Sequence, residues 1–311
     1  MTYFYGQYIG FGAGGAEEGF SFGGASYGFV SAGMPSSTRI NKFSFASGSE
    51  DAIDHGDIVS RGNNRFGTGA SSKTHGYSLA GNGTSGSNVI SKYTFAGSGV
   101  SGADVGDLQS IAYDLCGSSS DFGNGYGFAF GGGYPFHKTI DRFSFVSDGN
   151  STDWEDLSES RVGLTGHTTE THGYASGGHN GPATNFIDRF PFASQTTASD
   201  IGDLTRNTYV HAGASSATHG YSAGGSSYPS GDNNVIDKFT FESTSTITDI
   251  GDLLTAEKHV CGVSSIDYGY SCGGLGPSDV IERWSFATGT QDSSDVGNLV
   301  SAQDGPMGCQ V

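Results

Sequence analysis

Three histidines, His75, His172 and His219, occupy one recurring place, immediately before a glycine that an aromatic residue follows. Imidazoles at equivalent points of a repeat are raw material for a metal centre. The same place in other copies holds Tyr27, Tyr126 and Tyr268. Tyrosine replaces histidine as a planar hydrogen-bonding group, not as a metal ligand, so the expected role is a hydrogen bond to the next repeat. Paired carboxylates recur as well, in Asp104-Val-Gly-Asp107, Asp200-Ile-Gly-Asp203 and Asp249-Ile-Gly-Asp252. Calcium takes roughly six to eight oxygens from a denser run of acids, and each copy offers only two carboxylates. A pairing between these acids and Lys42, Lys92, Arg142, Arg189, Lys238 and Arg283 of a neighbouring strand is expected instead.

Other chemistry is thinly represented. Cys116, Cys261, Cys272 and Cys309 have no CxxC spacing. Cys116 and Cys261 precede a glycine where other copies hold Thr165 or Ala212, which reads as a small buried residue. No HExxH or phosphate-binding loop occurs, and Gly131-Gly132-Gly133 reads as a strand end. No catalytic residue, metal ligand or cofactor is assigned. The candidate contact residues are Tyr134, Phe136, His137 and Tyr228, aromatic groups on segments that differ most between copies.

The elements that must position these residues repeat six times. Gly-aromatic-x-x-x-Gly begins at Gly28, Gly76, Gly127, Gly173, Gly220 and Gly269, a period of about 48 residues and so in the range of propeller blades. A second element runs Ile40-Asn-Lys-Phe-Ser-Phe45, and again from Ile90, Ile140, Ile187, Ile236 and Ile281. Strand alternation puts its two aromatics on one face. The Asp-x-Gly-Asp element follows, and then a glycine nine residues past its terminal Leu or Ile: Gly67, Gly117, Gly166, Gly213, Gly262 and Gly308. Four short strands per copy predict an all-β, six-bladed β-propeller with four antiparallel strands per blade.

These motifs resemble the kelch-repeat family. Its double glycine after the second strand is matched by Gly131-Gly132, Gly177-Gly178, Gly224-Gly225 and Gly273-Gly274. Its Trp-x-x-Leu is matched in full by Trp154-Glu-Asp-Leu157, while the other copies put Ile, Val or His at the tryptophan position. The likeness spans roughly residues 20–311 and implies a fold without a function. A propeller over 25–311, closed by a strand within 303–311, is expected, with residues 1–24 forming further strands or an arm, as part of the first blade or as a subunit contact.

The formal charge of −18, from 14 basic and 32 acidic residues, disfavours a nucleic-acid backbone or an anionic membrane as partner. No secretory leader and no apolar membrane-spanning run is seen. The Gly/Ser/Thr/Asn-rich repeats resemble kelch-like tail-fibre and virion proteins of marine bacteriophages. That likeness implies a non-enzymatic structural or attachment protein, in a virion or extracellular. Expected partners are other structural proteins of an assembly or a host-surface glycan, with a homo-oligomer through residues 1–24. A lectin-like propeller and an enzyme using the central channel are the alternatives.

Overall fold

The computed structural model describes residues 26–35, 37–46, 51–60, 64–81, 86–120, 125–133, 135–227, 229–242, 247–287 and 292–310. It is an all-β, six-bladed propeller, and no helix occurs among the described residues. Blade 1 runs outward from the axis as Met307–Gln310, Tyr27–Ser31, Arg39–Ser44 and Ile53–Asp57, with the two-residue Val100–Ser101 added outside. Blade 2 comprises Thr68–Ser71, His75–Leu79, Ser87–Thr94 and Ala103–Ala112, and blade 3 comprises Cys116–Ser120, Tyr126–Phe130, Thr139–Ser144 and Thr152–Asp156. Blade 4 is Thr165–Thr168, His172–Ser176, Phe186–Pro191 and Ser199–Asp203. Blade 5 is Ala212–Ser215, His219–Ala223, Val235–Thr240 and Ile247–Asp252, and blade 6 is Cys261–Ser264, Tyr268–Cys272, Ser278–Ser285 and Ser294–Gln303. The inner strand of blade 1 comes from the other end of the chain: Met307–Gln310 pairs antiparallel with Tyr27–Ser31.

The two recurring sequence elements fit together through space. The first aromatic of each third strand lies across the motif glycine of its own second strand, where a Cβ would meet the ring at 2.2–2.4 Å. Both third-strand aromatics then clasp the second-strand aromatic of the preceding blade. The six closest ring pairs, from Phe29–Phe95 round to Phe45–Tyr270, have centroids 4.5–5.1 Å apart. Each buried ring contributes roughly 1.5–3 kcal/mol, so the core is a closed belt of aromatic triads between blades.

A hydrogen bond repeats at every junction. The residue after the third-strand isoleucine (Asn41, Ser91, Asp141, Asp188, Asp237 or Glu282) accepts from a backbone N–H of the preceding blade at 2.9–3.2 Å. The Asp-x-Gly element is a bulge: Asp54, Asp104, Asp200, Asp249 and Asp295 each accept from the glycine N–H two residues on.

At the axis the inner strands nearly touch. A Cβ on Gly166, Gly262 or Gly308 would stand 2.0, 1.8 or 2.1 Å from the carbonyl oxygen of the neighbouring blade's glycine. Blade 2 corrects the predicted register. Its axial glycine is Gly69, whose carbonyl faces Gly117, and not Gly67, because the connection into this blade is two residues longer.

Candidate binding face

The connections into each inner strand and those between the second and third strands share one face of the ring. Six residues, Phe66, Asp114, Gly163, Val210, His259 and Gly305, enter the inner strands there, all with left-handed φ between 51° and 69°. They form a closed circle of backbone hydrogen bonds. Asp114 N–H donates to Phe66 O, Gly163 to Asp114, Val210 to Gly163, His259 to Val210, Gly305 to His259 and Phe66 to Gly305, all at 2.6–3.0 Å. Four of the six are not glycine, and a left-handed L-residue costs roughly 1–2 kcal/mol, so the circle is held by its own closure and by the packed inner strands. Below it the channel encloses about 150 Å³, lined by the inner strands.

The mouth is asymmetric. On the side of blades 6, 1 and 2, buried Asp304 accepts from His259 Nδ1 at 2.8 Å and pairs with Arg65 Nη1 at 3.5 Å. Arg65 also lies over the Phe66 ring, which meets the His259 ring edge-on. Asp114 faces this group across the mouth. Burial pushes its carboxyl up to about 6, opposed by the charges of His259 and Arg65 and assisted by that of Asp304.

On the other side runs an arc of half-buried aromatic groups. Phe136 packs edge-on to His179 at 5.5 Å, and His179 packs on Tyr209 at 4.9 Å. Of the predicted contact residues, Phe136 therefore lies in this arc. His137 is half-buried beside it, with its ring against Gly133. Tyr134 and Tyr228 lie outside the described residues, as does the expected arm of residues 1–24. Sequence reasoning missed Asp114, His259, His179 and Tyr209. Counting three residues back from each axial glycine finds the first two.

Six basic side chains of this face, among the described residues, are already paired. Arg39, Arg65, Lys138, Arg161, Arg206 and Lys258 pair with Asp54, Asp304, Asp156, Asp188, Asp237 and Asp232. The third-strand basic residues behave differently from expectation. The bulge register sets Lys42, Arg142, Arg189, Lys238 and Arg283 opposite Ile53, Thr152, Ser199, Thr248 and Ser294, not opposite acids. Lys42, Arg142 and Arg283 cover the rings of Tyr27, Tyr126 and Tyr268. Lys92 does bind an acid, Asp148, but that acid belongs to the next blade.

The repeated histidines also differ from the prediction. His75, His172 and His219 bond through Nδ1 to the threonine hydroxyl just before them at 2.7–2.8 Å, within their own turn. Burial lowers their pKa, and Lys92, Arg189 and Lys238 lower it further. No group of three His, Cys, Asp or Glu among the described residues could hold a metal. Deeper between blades 4 and 5, His167 bonds to Ser176 Oγ at 2.8 Å and faces Ala214 O at 3.2 Å. Burial drives it down to about 4, and drives its neighbour His211 well below the ordinary range.

No family model matches the chain, and no curated protein matches its sequence.

Proposed function

We propose that this propeller is a non-enzymatic structural or attachment protein, a kelch-like component of a virus particle that meets its partner through the loop face. The supporting observation is where the six-fold pattern breaks. The Phe136–His179–Tyr209 arc and the Arg65–Asp304–His259 group both lie on this face, on a rim fixed by the closed backbone circle. Rigid scaffolds with irregular loops are built for contact. Arg65 and His259 are both tied to Asp304, and burial lowers the pKa of the inner histidines His167 and His211, which favours recognition.

The half-buried aromatic arc also suits stacking on a sugar ring, so a host-surface glycan is the second reading. The test is mass spectrometry of purified particles, joined to adsorption assays with a Phe136→Ala/Tyr209→Ala variant. The protein is expected in stoichiometric amount, and the variant to lower adsorption at least tenfold with its melting temperature held. Absence from particles overturns the virion assignment, and unchanged adsorption overturns the arc as the contact. Binding of the isolated protein to a neutral glycan array would favour the sugar reading.

A further inference from the structure

The third strands of blades 3, 4 and 5 carry Asp141, Asp188 and Asp237 at one register position, opposite Asp153, Asp200 and Asp249. In blades 4 and 5 each carboxylate holds a guanidinium. Arg161 Nη2 meets Asp188 at 2.7 Å, and its Nη1 donates to Gly177 O and Phe186 O at 2.7 and 3.2 Å. Arg206 Nη1 meets Asp237 at 2.6 Å, and its Nη2 donates to Gly224 O and Val235 O at 3.2 and 2.7 Å. One carboxylate and two carbonyls make the cradle.

Blade 3 repeats that cradle. Gly131 N–H donates to Thr139 O as Gly177 does to Phe186 and Gly224 to Val235, so Gly131 and Thr139 are the matching carbonyl residues. What differs is the cation. Ala112 stands four residues after Leu108, as Arg161 stands four after Leu157. A cavity of about 20 Å³ is found there, lined by Ala112, Gly131, Thr139 and Asp141, with Ser110 and His137. Asp141 is only 7% exposed, and its Oδ1 has no hydrogen-bond partner. Its Oδ2 accepts from the Gln109 N–H at 3.1 Å. The hydroxyls of Ser158 and Thr205, which serve Asp188 and Asp237, have Gln109 in their place. The Ser151 hydroxyl lies close enough to this carboxyl to favour its charged form, yet outside hydrogen-bonding geometry.

A buried carboxylate without a cation is costly, and burial has already pushed Asp141 up to about 6. The cavity takes roughly one water-sized group, room for one nitrogen of a planar cation whose other atoms stand at the open mouth. Exposed Ser110 and half-exposed His137 mark its open side, on the loop face beside Phe136. A divalent metal would need several more oxygens than the three acceptors here, whereas a forked N–H donor matches them as it does in the sister blades.

We propose that the junction of blades 2 and 3 is a preformed receptor for a guanidinium, supplied by an arginine of a partner protein docking on the loop face. The identity of the partner rests on the attachment reading. The pocket itself does not, and it is tested without particles, so the failure of one is distinguishable from the failure of the other.

Methylguanidinium chloride is titrated into the full chain at constant ionic strength, with sodium chloride as the matched control. The Asp141 carboxyl carbon is followed by NMR. Saturable binding of roughly millimolar affinity is expected, with the Asp141 titration midpoint falling by at least one pH unit. Ala112→Arg, which supplies the guanidinium from within the chain, should lower the midpoint by itself and abolish the response to methylguanidinium. Asp141→Asn should abolish it too. A response equal to that of sodium, or one that persists in Ala112→Arg, overturns the proposal. Because Ala112→Arg copies an arrangement already present in blade 4, it tests the pocket even if Asp141→Asn fails to fold.

Discussion

Replacing Arg161 with alanine would convert the junction of blades 3 and 4 into a copy of the junction of blades 2 and 3. Arg161 and Asp188 are both 0% exposed in their side chains, so solvent gives the ion pair no screening. The variant removes a 2.7 Å ion pair and two carbonyl hydrogen bonds, leaving Asp188 with the Ser158 N–H and hydroxyl as its remaining donors. Breaking a buried pair by deleting one partner costs about 3–5 kcal/mol. That is the loss expected at pH 7, read from urea denaturation. The loss should depend on pH in a definite direction. Without its cation Asp188 would be a buried carboxylate like Asp141, which burial has raised to about 6, though with one hydroxyl donor more. A carboxyl raised in the folded state binds more protons folded than unfolded between about pH 4 and 6. The penalty is then full above about 6 and shrinks as the pH falls toward 4. At pH 5 the variant should recover part of its stability relative to the parent. A loss below about 1 kcal/mol at pH 7, or one of equal size at both pH values, would refute the reasoning that the guanidinium neutralises a buried charge.

Three further outcomes follow from the packing. Gly262→Ala should destabilise by about 2–3 kcal/mol or more in urea denaturation, because its methyl would stand 1.8 Å from the Gly213 carbonyl oxygen. His167 is driven from 6.5 to about 4, so its neutral form stabilises the fold by about 3 kcal/mol above pH 6.5, and this is lost as the pH falls toward 4. Stability curves against pH should show that slope, and His167→Gln should flatten it. Deleting residues 303–311 removes the Asp304 clasp and the buried Met307 of the closing strand. A loss of at least about 5 kcal/mol is expected in calorimetry or denaturation, and an unchanged melting temperature would exclude that strand from closure.

Much of the architecture was legible because it is made of short-range patterns repeated six times. The glycine of each Gly-aromatic motif and the first aromatic of each third strand are one packing unit, and both stand out in the sequence. Register was less legible. Gly67 keeps the nine-residue spacing, yet two extra residues before blade 2 pass the axial role to Gly69. The bulge at each Asp-x-Gly moved Lys42 and its counterparts away from the acids and over aromatic rings, and a one-residue shift of that kind has no sign in composition. The candidate face was half legible. Phe136 could be found as an aromatic on an irregular loop, whereas Asp114 and His259 sit in connections whose importance comes from the closed circle around the axis.

The junction hydrogen bond explains why one blade can differ chemically from the next without altering the ring. The backbone N–H donated across each interface needs an oxygen, and Asn41, Ser91 and Glu282 supply it as well as the three aspartates do. The oxygen is thus set by architecture, while its charge is free to vary. Where the charge is present, the low-dielectric interface must answer it, with the Leu254 N–H and the Ser293 hydroxyl at Glu282 and with a cation in blades 4 and 5. Blades 4 and 5 meet that demand from within the chain, through arginines placed in the connections of the loop face. Blade 3 keeps the carboxylate and the carbonyls but offers Ala112. A junction that needs only an oxygen is served by asparagine or serine in blades 1 and 2, and by a hydroxyl-bonded glutamate in blade 6. An acid kept at a place where the fold needs only an oxygen, with its second oxygen unpartnered beside an open cavity, points to a positive group that arrives from outside.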